Sequence, residues 1–145
     1  MYGPGSSSGG AAGLAAVRVA NIPERTGQIL RQALSRRLDP QGLNPAPRQE
    51  LRVALAMENE PIGFRRDGAA SRIRTSARAD WRLVALGTPE TQIATGRERS
   101  FDAYNIPDGQ FFAADASRDA MERRLMEQLA DRIVQRLAVT PLSQG

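Results

Sequence analysis

The sequence predicts an α+β fold, a two-layer sandwich of two helices on a four-stranded, mainly antiparallel sheet, in the order β-α-β-β-β-α. Three observations carry this. Three consecutive stretches alternate apolar and polar residues with a period of two, which marks half-buried strands. Two other segments carry apolar stripes at three- and four-residue steps, the spacing of a helix with one buried face. The connections between the three strands are short, which favours antiparallel neighbours. A length of 145 residues, 41% of them hydrophobic and 25% charged, suits one globular domain.

The elements follow in order. Met1 to Gly10 (MYGPGSSSGG) is rich in glycine and serine, and residues 1–14 are expected to be a flexible tether ahead of a single domain at 15–140, with 141–145 a short tail. Val17, Val19 and Ile22 suggest a short first strand, stopped by Pro23, which has no N–H to give to a ladder. From Glu24 to Leu38 the residues Ile29, Leu30, Ala33, Leu34 and Leu38 form a helical stripe; Pro23 suits its start, and Asp39 with Pro40 closes it. Pro40 to Pro47 holds three prolines and a glycine and reads as a loop.

In Gln49 to Glu58 the residues Leu51, Val53, Leu55 and Met57 share one face of a strand. Asn59 to Gly68 has turn chemistry and would join it to the next strand as a long hairpin. That next strand, Ser71 to Ala85, sends Ile73, Thr75, Ala77, Ala79, Trp81, Leu83 and Ala85 one way and Arg72, Arg74, Arg78 and Arg82 the other. A third is expected over Thr91 to Tyr104, with Gly96 as a candidate bulge. Leu125, Met126, Leu129, Ala130, Ile133 and Leu137 then mark a terminal helix, starting near Gly109 or Gln110 and ended by Pro141.

Composition narrows the chemistry. Cysteine and histidine are absent, which removes thiol nucleophiles, disulfides, serine–histidine relays and zinc sites built from nitrogen and sulfur ligands. Carboxylate pairs such as Glu58 with Glu60, or Asp115 with Asp119, have nothing near them to separate their pKa values. No catalytic residue, metal or cofactor is therefore expected. The longest apolar run, Ala11 to Val17, is far below the ~20 residues of a membrane span, and no basic residue precedes it to make a signal peptide, so the chain is expected to be soluble and mature.

All 20 basic residues are arginine, against 16 carboxylates, for a net charge of +4. An anionic partner follows, and nucleic acid, an acidic membrane surface and a phosphorylated glycolipid all fit it. The guanidinium fork favours phosphate or carboxylate held in a bidentate way. On the strand at 71–85, Arg72, Arg74, Arg78 and Arg82 are co-facial, joined by Arg52 and possible neighbour Arg18, at ~6.6 Å between alternate positions. Counter-charge could come from Glu50, Glu58, Asp80 and Asp102. The face is then either a solvated surface laced with ion pairs or an anion-binding surface. Trp81 belongs with the apolar residues of the core. Phe64, with Arg65 and Arg66, falls at a loop tip and is a candidate partner contact.

A double-stranded-RNA-binding domain also runs helix, three strands, helix, and stands as the alternative. Its basic helix start is not matched here, because Asp108 to Asp119 carries three aspartates and a single arginine. Several short stretches resemble another family. RTGQILR (Arg25 to Arg31) after a short strand, ARADWRLVALG (Ala77 to Gly87), AYN (Ala103 to Asn105) and DAMERRLMEQLADRIVQRLA (Asp119 to Ala138) together resemble the LptE family of lipopolysaccharide-assembly lipoproteins in its alphaproteobacterial form, over about Val17 to Ala138.

The resemblance implies two helices on a four-stranded sheet and a non-enzymatic outer-membrane lipoprotein facing the periplasm. It implies binding inside the lumen of the β-barrel LptD, which such a protein helps to fold and plug, and contact with lipopolysaccharide, with no nucleic acid as partner. Arg52, Arg72, Arg74, Arg78 and Arg82 are then the candidate lipopolysaccharide-binding residues. The lipidated cysteine of the family has no counterpart in this chain, as expected if it begins just after that residue.

Overall fold

The inward-facing residues of three long strands form one side of the core, and two helices close over them. The computed structural model describes residues 13–109 and 111–140. After a single helical turn at 13–15, the elements are β1 (Val17–Val19), α1 (Glu24–Leu38), β2 (Gln49–Phe64), β3 (Ala70–Ala85), β4 (Thr91–Asn105) and α2 (Phe111–Ala138). The expected order β-α-β-β-β-α and the α+β class hold. The tail at 141–145 and most of the tether lie outside the described residues; Leu14, at the tether's end, packs against the core.

The sheet order is β1-β2-β3-β4. β2 with β3 and β3 with β4 are antiparallel, but β1 lies parallel to β2, with Val17 beside Gln49 and Val19 beside Leu51. The sheet is therefore mixed. The cause is α1, which carries the chain back so that β2 starts at the same end as β1, the connection that parallel neighbours require. β1 is shorter than Val17 to Ile22: only Val17–Val19 pair, and Ile22 is buried in the connection to α1.

β2 also runs further than Gln49 to Glu58. Asn59 to Phe64 continue the ladder with β3 through two irregularities at Pro61, Gly63 and Phe64, so the turn shrinks to 65–69. Pro61 is tolerated because the strand has only three residues of β1 on its other side, leaving this stretch at the sheet edge. Gly68, at φ +88°, and the Asp67 carboxylate, which accepts the Ala69 N–H at 2.9 Å, close the turn.

Alternation is borne out along β3. Thr75, Ala77, Ala79, Trp81 and Leu83 are buried, while Arg72, Arg74, Arg78 and Arg82 are exposed. Leu51 joins the inward set, which packs against Leu30, Ala33, Leu34 and Leu38 of α1 and Met121, Leu125, Met126, Leu129, Ile133 and Leu137 of α2. Burying a side chain of this size is worth about 1.5–3 kcal/mol, so this apolar layer holds the two helices in place. Arginine on α1 adds to it: Arg25 meets Glu122 at 2.8 Å, and Arg36 and Arg37 both meet Glu127, at 2.6 and 2.5 Å.

Gly96 is not a bulge. It pairs directly with Trp81, and a Cβ there would stand 2.5 Å from the indole Cζ2. Its hydrogen lets the ring lie flat on β4, and the Trp81 Nε1–H donates to Glu98 at 3.3 Å. Glu98 in turn meets Arg136 of α2 at 3.2 Å. The irregularity in β4 falls instead between the partners of Leu83 and Val84, where Ile93 is passed over.

Candidate functional site

The face of the sheet turned away from the helices is lined by charged side chains. The β2–β3–β4 register sets its side chains in rows across the strands: Arg52–Arg82–Thr95, Ala54–Asp80–Arg97, Ala56–Arg78–Arg99, Glu58–Ser76–Phe101, Glu60–Arg74–Ala103, and Arg72 with Asn105. Arg18 extends it beside Glu50, across β1 and β2. The five predicted arginines Arg52, Arg72, Arg74, Arg78 and Arg82 are thus brought onto one surface, with Arg18. Arg97 and Arg99 join them and were missed, because the alternation of β4 is obscured by the small inward residues Gly96 and Ser100.

Part of this charge is neutralised within the face. The Glu50 carboxylate accepts from Arg18 at 2.7 Å and Arg52 at 2.6 Å, and Arg52 also donates to Glu90 at 2.8 Å. Asp80 is shared by Arg78 at 3.2 Å and Arg97 at 2.5 Å, and Arg74 meets Glu60 at 2.9 Å. The hydrogen bond from Arg52 holds the Glu50 carboxyl below its ordinary value, against the upward push of burial, with Arg18 adding to the lowering. The Arg97 hydrogen bond likewise lowers Asp80.

Two expected counter-charges behave otherwise. Asp102 lies on the inward side, where burial raises its pKa but the hydrogen bonds from Arg124 and the Ala103 N–H outweigh it, leaving it lowered. Glu58 faces outward with no ion pair among the described residues. The same holds for Arg82 and Arg99, while Arg72 donates only to the amide oxygen of Asn105, at 2.7 Å. Like charges directly opposite each other repel, and Arg52–Arg82 and Arg78–Arg99 are such pairs. Arg82 and Arg99 therefore carry charge on this face that no acid among the described residues offsets.

Relief comes from small residues. Ala54 floors an open depression of about 840 Å³ bordered by Arg52, Asp80, Arg82, Thr95 and Arg97. Ala56 and Ser76 floor a second, of about 440 Å³, bordered by Glu58, Arg78, Arg99 and Phe101. Both set small side chains among guanidinium groups.

The hairpin tip divides its three predicted residues. Phe64 is 65% exposed and Arg66 is exposed. Arg65 instead turns inward along the backbone, donating to the Ala70 carbonyl at 3.2 Å and to the Ile106 carbonyl, so it fastens the turn to the segment leading into α2. The sequence gives no sign of this, because the two carbonyls are brought together only by the strand register.

Two helices on a mixed four-stranded sheet whose other face carries arginines in register define the architecture of this domain. Comparison with known proteins identifies its family. The LptE family, described as Lipopolysaccharide-assembly, matches residues 14–137, and the chain belongs to that family. Among solved structures it is similar to a candidate lipoprotein from Caulobacter crescentus CB15, at 25% identity and a TM-score of 0.74, covering 90% of this chain and 94% of that one. It also shares its fold with the minor lipoprotein of Acinetobacter baumannii (14% identity, TM-score 0.65, 90% and 98% covered) and the rare lipoprotein B of Shewanella oneidensis (15%, 0.59, 84% and 91%). No curated protein matches the chain in sequence.

Proposed function

We propose that this protein is a non-enzymatic assembly lipoprotein of the outer membrane, seated at its periplasmic side within the LptD β-barrel, where its arginine face contacts lipopolysaccharide in transit. The observation that carries the reading is the register that gathers arginines on the helix-free face: Arg52, Arg72, Arg74, Arg78, Arg82, Arg97 and Arg99 share it, and Arg82 and Arg99 have no acidic partner among the described residues. Lipopolysaccharide offers anionic groups on an apolar body, and the guanidinium walls and alanine floors match both. Phe64 and Arg66, exposed at the hairpin tip, are the proposed contact with the barrel.

The test is lipopolysaccharide affinity at two salt concentrations for the wild type and for a variant with Arg78→Ser and Arg82→Ser. Charge-assisted contacts are worth about 1.5–3 kcal/mol each, so affinity falls more than about tenfold and its salt dependence flattens. Unchanged affinity and salt response reject the assignment. For the barrel, Phe64→Ala with Arg66→Ser lowers recovery of the LptD complex; full recovery removes the tip from that interface. Binding of double-stranded RNA more tightly than lipopolysaccharide would favour the nucleic-acid alternative.

A further inference from the structure

The row Glu58–Ser76–Phe101, with its neighbour Ala56–Arg78–Arg99, contains a combination that charge alone does not explain. Phe101 is 66% exposed in the middle of a polar sheet face. The Arg74 guanidinium stands over its ring at 5.6 Å from the centroid, and Arg74 belongs to the row on one side of Phe101. The depression of about 440 Å³ spans the Phe101 row and its Ala56–Arg78–Arg99 neighbour, and Phe101 lines it. Around it also stand Glu58 and Arg99, both without an ion pair among the described residues, the Ser76 hydroxyl, and Arg78, whose Nε is held by Asp80 while its remaining N–H groups are available.

An exposed aromatic face packs against the C–H surface of a ring too polar to be buried in a core. A free carboxylate accepts from sugar hydroxyl groups, and a serine hydroxyl both accepts from and donates to them. Two guanidinium groups in register hold one carboxylate or phosphate in a bidentate way. A pyranose carrying an acidic group presents all three surfaces at once. An acyl chain would use the ring and waste Glu58, and a bare phosphate would use the arginines and be repelled by Glu58. We infer that the depression between Phe101 and the Arg78–Arg99 pair is a subsite for an acidic sugar, whether free or as part of a glycolipid. The inference rests on the outer sheet face being the ligand surface, and it separates a saccharide position from the rest of that face.

The probe is digalacturonic acid, which has neither lipid nor phosphate, compared with neutral digalactose and inorganic phosphate by calorimetry and by amide shifts in NMR spectra of the whole chain. Digalacturonic acid is expected to shift the amides of 56–58, 76–78 and 99–101 and to bind at least about tenfold tighter than digalactose, the worth of one charge-assisted contact. Phe101→Ala and Arg99→Gln each weaken it by about fivefold or more. Arg123→Gln, an equal loss of charge on exposed α2, leaves it unchanged.

Tight phosphate binding with an acidic-sugar affinity that ignores Phe101→Ala would overturn the subsite in favour of a plain anion surface. Intact lipopolysaccharide measured on the same samples separates the two ideas. If it binds and digalacturonic acid does not, the subsite falls and the proposed function stands; if neither binds, both fall.

Discussion

Replacing Gly96 by alanine adds one methyl group where the structure has no room for it. The new Cβ would lie 2.5, 2.6 and 2.7 Å from Cζ2, Cε2 and Nε1 of Trp81, closer than side-chain carbons approach. The indole has little freedom to retreat, because it is buried within the core cluster and its Nε1–H is held by Glu98. Overpacking of this kind costs about 1–3 kcal/mol, and for a domain of this size each kcal/mol lowers Tm by roughly 2–4 °C. Gly96→Ala is therefore expected to lose between about 2 and 12 °C. Trp81 is the only tryptophan, so its fluorescence reports both the local change and the global transition. Urea melts followed by that signal should move to lower midpoint with an unchanged slope. Gly87→Ala serves as the control, since its Cβ would meet nothing nearer than 3.8 Å. A Gly96→Ala protein with the wild-type midpoint would refute the account of the Trp81 seat.

Acidification is expected to destabilise the fold through Glu50, Asp80 and Asp102. Their native pKa values are lowered, so the stability they contribute is complete above their ordinary values of 4.5, 3.8 and 3.8 and is lost as pH falls below these through the native values. Chemical denaturation from pH 6 to pH 2.5 should show a flat region followed by a decline below about pH 4.5, and Glu50→Gln should shrink that decline. Arg65→Ala removes the donor shared by the Ala70 and Ile106 carbonyls, and hydrogen exchange should quicken at 65–71 and 106 while β3 beyond Thr75 keeps its protection. Equal protection at the tip in the variant would mean the fastening is supplied by other contacts.

The parts of the fold legible in the sequence are those where one residue's environment is set by its own neighbours in the chain. Alternation along 71–85 placed Arg72, Arg74, Arg78 and Arg82 on one face, and the stripe of Leu125, Leu129 and Ile133 placed α2. What was hidden depends on pairing between distant segments. Gly96 looks like a weak point in a strand until Trp81 is set opposite it, and Pro61 reads as a breaker until β2 is known to be at an edge. Arg97 and Arg99 escaped because their inward neighbours are small or charged, and Glu98 and Asp102 are tolerated there because Arg136 and Arg124 of α2, with the Trp81 Nε1–H and the Ala103 N–H, meet them. The parallel placement of β1 likewise follows from the return path of α1.

The β2–β3 hairpin has a mechanical consequence. Sixteen residues in each strand, at ~3.3 Å per residue, make a blade about 50 Å from root to tip. β1 joins it at the root, beside Gln49 and Ala85, while Phe64 and Arg66 sit at the far end. A bilayer's hydrocarbon slab is only ~30 Å deep. The distance from root to tip of this blade thus exceeds the depth of such a slab.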